Sequence, residues 1–134
     1  MAQKNQDKVG TGPASIVTGP DQIRNVALVG ATGVGKTTLM EALLAATGTI
    51  DRAGSVAEGT TVGDHDPVAV RQQRSIGLTV ATLLHSGIKV NLLDTPGYAD
   101  FLGEVRAGLR AADGVLFVVS AMTGVDEATA SLWR

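Results

Sequence analysis

Cysteine is absent from the 134-residue chain. That excludes a disulfide-stapled scaffold and any thiolate metal site, and it suits a reducing cytoplasm. Aromatic residues are scarce, at 3%. Neither charge sign dominates: the net charge is −2, which gives no electrostatic reason to expect non-specific binding to nucleic acid, DNA included, or to a membrane surface. No apolar run approaches the roughly 18 residues of a transmembrane helix. The opening residues, MAQKNQDKVG, lack the apolar segment of a secretory signal. What remains is a globular composition, 44% hydrophobic and 18% charged. One domain is the expectation for this length, and such a chain buries roughly two-thirds of its unfolded surface.

Residues 1–22 mix Gly, Pro, Ser, Thr and charges without periodicity and read as a flexible leader ending near Pro20. "NVALVG" (Asn25–Gly30) is a short apolar run entering glycines, which suits a strand buried on both faces. "TTLMEALLAATG" after Lys36 is rich in helix formers, with Gly48 as the C-terminal stop and Met40, Leu43 and Leu44 as core. Residues 49–77 form a long glycine-punctuated loop with a short helix expected around Val68–Gln73. Loops this long inside a domain are usually functional. "LTVATLLH" and "IKVNLLD" flank Ser86-Gly87 and read as a β-hairpin. Leu102, Val105 and Leu109 make one stripe of an amphipathic helix. "GVLFVVSA" (Gly114–Ala121) reads as another buried strand, and a helix is expected to begin after Val125, with Trp133 packed on it. Strands alternating with helices predict an α/β domain, its sheet mostly parallel with one antiparallel edge hairpin.

Gly30 to Thr37 fits G-x-x-x-x-G-K-[ST], so the fold class sharpens to a P-loop NTPase. Glycines let the loop curl so that successive N–H groups point at phosphate oxygens, and the helix that follows aims its positive end at the same place. The expected phosphate contacts are Gly30, Ala31, Thr32, Gly33, Val34, Gly35, Lys36, Thr37 and Thr38. Lys36 would neutralise the β- and γ-phosphates, and the Thr37 hydroxyl would ligate Mg²⁺. "NLLDTPG" (Asn91–Gly97) supplies a carboxylate, Asp94, at the end of a buried strand, the position that holds Mg²⁺ in such sites. Gly97 would let its N–H approach a γ-phosphate. Alone, D-T-P-G is also an ordinary turn, and it is the pairing with the phosphate loop that makes it informative. Thr79, where the long loop meets a strand, is placed to complete the Mg²⁺ shell when triphosphate is bound. It equally suits a β-branched strand filler. Thr60 and Thr61 are weaker candidates for that role.

These residues resemble a known family. "GVGKTTL", "GSVAEGTT", "LLDTPGYADF", "EVRAGLRAADG" and "VVSAMTGVDE" look like the N-terminal part of the G domain of elongation factor G, and in particular its actinobacterial paralogues. The resemblance runs from about Arg24 to the end, so residues 23–134 read as a partial GTP-binding domain. It implies GTP as ligand, GDP and phosphate as products, the ribosome as partner and a cytoplasmic location. Three features depart from the family. Tyr98 stands where a histidine that positions the attacking water is usual, and a phenol, with a pKa of about 10, cannot replace an imidazole near neutrality. Tyr98 is thus, with Lys36, a catalytic candidate of altered chemistry, and slow hydrolysis is expected. The alternative is a nucleotide-gated ribosome-binding module with little turnover. Gly33 stands where the family often has aspartate. "QQRSIGLT" replaces an arginine-glycine-isoleucine-threonine run, which leaves the register of the switch threonine open by a residue.

No N-K-x-D motif for reading guanine is present, so the residues alone do not exclude an ATPase or kinase. The family places that motif further along than Arg134. A C-terminally truncated domain is therefore expected, with "VLFVV" as an apolar edge, poor solubility in isolation and weak nucleotide binding. His65, His85, Asp64 and Asp66 lack metal-ligand company in the sequence, and Arg71 and Arg74 read as solvated loop charges rather than a catalytic arginine.

Overall fold

The computed structural model describes residues 17–63, 77–97 and 102–133, with Leu102 and Ala128 as backbone only. Strand β1 (Ile23–Val29) runs inside a four-stranded sheet of order β2-β3-β1-β4, where β2 is Thr79–His85, β3 Ile88–Asp94 and β4 Gly114–Phe117. β1 pairs in parallel with β3 and β4, while β2 pairs antiparallel with β3. This is the mostly parallel sheet with an antiparallel edge hairpin that the sequence predicts. Ser86 and Gly87 both have positive φ, 49° and 77°, the paired left-handed conformation whose twist matches a two-residue hairpin.

β1 is apolar on both faces because both are covered. Val26 and Leu28 face α1 (Lys36–Ala46), packing with Met40, Leu44, Ala81, Leu83 and Leu92. Ala27 and Val29 face α2 (Leu102–Ala111) and α3 (Glu127–Leu132), together with Leu93, Val105, Leu109 and Leu132. Leu28, Met40 and Leu44 are at most 1% exposed. Burial contributes about 1.5–3 kcal/mol for each such side chain. α1 ends where expected: Gly48 follows with φ 70°, a left-handed stop that glycine adopts without steric cost.

Three sequence expectations shift. "GVLFVVSA" is strand only over Gly114–Phe117, and it lies at the sheet edge with Val115 42% and Leu116 43% exposed, the apolar edge expected for "VLFVV" rather than the buried strand that the run alone suggests. No described strand pairs with its outer side, so the apolar run that reads as doubly covered is open. Trp133 is 75% exposed and meets β4, its ring edge-to-face with Phe117 at 5.2 Å. β1 begins earlier than Asn25, directly after a 3-10 turn at Pro20–Gln22. The expected helix at Val68–Gln73, with Asp64, His65, Asp66, Arg71 and Arg74, lies outside the described residues.

Because β1, β3 and β4 are parallel, their C-terminal ends meet at one rim of the sheet, and the antiparallel β2 starts there. In open α/β sheets ligands bind outside that rim.

Candidate nucleotide-binding site

The loop Gly30–Gly35 leaves β1 at this rim and enters α1 at Lys36. Gly33 and Gly35 hold φ 79° and 99°, left-handed values that a side chain would strain. The N-cap of α1 is Gly35, and no side chain caps this end. α3 contrasts with it, since the Asp126 carboxylate accepts from Thr129 N at 2.7 Å, and hydrogen bonding from the Thr129 side chain and then its backbone holds it below the usual carboxylate range. A helix N-terminus that no side chain caps, entered from a glycine-rich loop, is the arrangement that binds anions.

Lys36 is 6% exposed. Its ammonium folds back on its own loop, donating to Gly30 O at 2.8 Å and Ala31 O at 2.9 Å. Burial pulls its pKa below the ordinary lysine range, and the Asp94 carboxylate partly restores it. The Thr37 hydroxyl donates to Asp94 Oδ2 at 2.5 Å. Asp94 is 1% exposed. Burial raises its pKa, against the pull of the Thr37 hydrogen bond and Lys36. Its Oδ1 is buried without a hydrogen-bond partner. An orphaned carboxylate oxygen beside a hydroxyl is the hard-oxygen donor set that Mg²⁺ takes, so these residues fit the ion. Thr79 opposes Asp94 across the β2–β3 ladder.

The Asp94–Gly97 segment is tied to the phosphate loop. Thr95 N and Oγ1 both donate to Leu28 O, at 3.3 and 2.7 Å. A Cβ placed on Gly97 would lie 2.4 Å from Thr32 N and 2.7 Å from both Ala31 C and Thr32 Cα. These are backbone atoms and cannot swing away. Gly97→Ala is therefore expected to force the two loops apart and weaken binding of a non-hydrolysable GTP analogue by about tenfold or more, since overpacking costs about 1–3 kcal/mol. Calorimetric titration checks it, and an unchanged Kd would show that the loops separate freely.

The structure thus brings Gly30 to Thr37, Asp94 and Gly97 together, with Thr79 adjoining. Thr38 is exposed on the first turn of α1. Thr60 serves its own loop, its hydroxyl accepting from Ser55 N at 2.9 Å. Tyr98 lies outside the described residues. Sequence reasoning missed two residues here. Thr95 was hidden inside a motif read only for its Asp and Gly. Glu41 is the one carboxylate in α1, set among apolar residues yet only 1% exposed, and that setting was the available signal.

A family profile for the elongation factor Tu GTP binding domain matches residues 21–134. The chain belongs to that family. It is similar over its whole length to the "Elongation factor G-like protein" of Mycobacterium tuberculosis, at 60% identity, and spans 19% of that protein. "Elongation factor G 2" of Streptomyces coelicolor is 40% identical over 84% of the chain, which spans 16% of it. A crystal structure of a Thermus thermophilus protein superposes with a TM-score of 0.80 at 52% identity, over 84% of this chain and 17% of that one. The chain thus spans less than a fifth of each of these relatives. Membership of this GTP-binding family accords with the α/β sheet and its phosphate loop. Among the described residues no helix is long and apolar enough to cross a membrane.

Proposed function

We propose that the chain is the leading part of the GTP-binding domain of an elongation factor G-like translational GTPase, acting on the ribosome in the cytoplasm. The observation that carries this is the convergence of Lys36, Thr37 and Asp94 at one rim, in a chain of this family. Residues 30–38 cradle the phosphates. Lys36 exchanges the carbonyls of Gly30 and Ala31 for β- and γ-phosphate oxygens. Thr37, Asp94 and Thr79 would hold Mg²⁺, whose contribution when bound is to neutralise charge between those phosphates. The Gly97 N–H reaches the γ-phosphate, and water attacks in line, giving GDP and phosphate.

Tyr98 in the water-positioning place supports slow hydrolysis. In the natural full-length protein with ribosomes, Tyr98→His is expected to raise single-turnover GTP hydrolysis by about tenfold, part of the roughly 10²–10⁴ that positioned acid–base groups contribute. A wild-type rate already matching a histidine-bearing relative would overturn the slow-turnover reading. Tyr98 in place of the family's histidine also favours a second reading, a GTP-gated module that occupies the ribosome with little turnover. Ribosome-dependent phosphate release separates the two, and competition by ATP against GTP tests the base preference.

A further inference from the structure

We propose that Glu41 is a positioning residue that seats Thr79 beside Asp94, acting through the loop Gly54–Gly63. The inference rests on the reading above that Thr79 meets the cation.

Glu41 is buried in α1 and spends both carboxylate oxygens on that loop. Oε2 accepts from Gly54 N at 2.8 Å and Oε1 from Val62 N at 2.7 Å. Between these two points the loop closes on itself. Thr60 N donates to Ser55 O at 3.1 Å, and Ser55 N donates to Thr60 Oγ1 at 2.9 Å. A Cβ on Gly54 would lie 2.4 Å from Thr60 O. Residues 54–62 thus form a ring, and the carboxylate is its clasp.

The exit of the ring runs close beside Thr79. A Cβ at Gly63 would sit 2.8 Å from Thr79 Cγ2 and 3.2 Å from its Oγ1. Thr79 alternates with Ala81 and Leu83, so its side chain lies on the α1 face of the sheet, as does that of its ladder partner Asp94. Thr37 and Glu41 are four residues apart and share one side of α1. Thr37 touches Asp94, and Glu41 holds the ring that backs Thr79. One helix face therefore sets both sides of the cation site. Groups that orient metal ligands are commonly worth about 10–100-fold in metal affinity.

Glu41→Gln keeps the volume but replaces one acceptor oxygen with a donor, so one end of the clasp opens. Gly63→Ala leaves Glu41 intact and pushes on Thr79 directly; Gly63 is not among the residues of positive φ, so alanine fits its backbone. The experiment measures the affinity of the full-length protein for a non-hydrolysable GTP analogue with Mg²⁺ and with EDTA, alongside thermal melts. Glu41→Gln is expected to lower the Mg²⁺-dependent gain by about tenfold while the EDTA affinity stays unchanged. Thr79→Val and Gly63→Ala should do the same, and the Glu41→Gln/Thr79→Val double variant should lose no more than either single one. Equal loss with and without Mg²⁺, or additive losses, would overturn the inference and leave Glu41 as scaffold. Thr79→Val without effect refutes the reading of Thr79 itself, whereas Thr79→Val with effect and Glu41→Gln without refutes Glu41 alone. Should Glu41→Gln fail to fold, Gly63→Ala decides.

Discussion

Lys36→Ala is expected to weaken GTP binding by about two to four decades in Kd. The ammonium is buried and already makes two hydrogen bonds to loop carbonyls. Those bonds hold the charge within the loop, and in the proposed function phosphate oxygens replace them. A hydrogen bond involving a charged group is worth about 1.5–3 kcal/mol, so two to phosphate correspond to roughly 10²–10⁴ in affinity. Lys36→Arg should not rescue, because a planar guanidinium cannot fit where a compact ammonium is folded against Gly30 and Ala31. Titration of a fluorescent GTP analogue into the full-length protein checks both variants. A loss under about tenfold would mean that backbone N–H groups carry the phosphates without the lysine.

Asp94→Asn should separate stability from function. Mg²⁺-dependent affinity is expected to fall by at least about a hundredfold, since even groups that only orient ligands are worth about 10–100-fold. The nucleotide-free protein, by contrast, should melt no lower than wild type. The sign follows from the raised pKa, whose largest cause is burial. A carboxylate whose folded pKa lies above its unfolded value contributes most below the ordinary carboxylate range. That contribution falls as pH rises through the interval up to the raised value. Asparagine removes the titration while its side-chain carbonyl still accepts from Thr37. The melting difference, variant minus wild type, should therefore grow with pH across that interval and then level off. A variant less stable than wild type at neutral pH would show that the attraction of Lys36 outweighs the cost of burial. The site thus keeps a charge that the empty fold disfavours, as function-bearing residues often do.

Much of this was readable in the residues. The glycine spacing before Lys36 and the carboxylate in D-T-P-G placed the phosphate loop and Asp94, because their chemistry depends on local backbone and on residue type. The hairpin was equally legible, since Ser86-Gly87 is a local turn between two apolar runs. The length of β4 was not, because an apolar run does not show where pairing with β1 stops, here at Phe117. Glu41 was not recognised either. Its partners are backbone N–H groups of Gly54 and Val62, and backbone groups leave no mark in a sequence pattern.

The sequence by itself determined the phosphate-loop motif, the α/β class, the family resemblance and the identity of Tyr98. Those properties reside in residue types at short spacing. The tertiary structure alone decided that Lys36 rests on its own loop, that Asp94 keeps an orphaned oxygen beside Thr37, that Gly97 has no room for a side chain, and that Glu41 clasps the loop backing Thr79. Each of these depends on which strands lie side by side at the rim, and that is settled by burial of β1 between two helical layers.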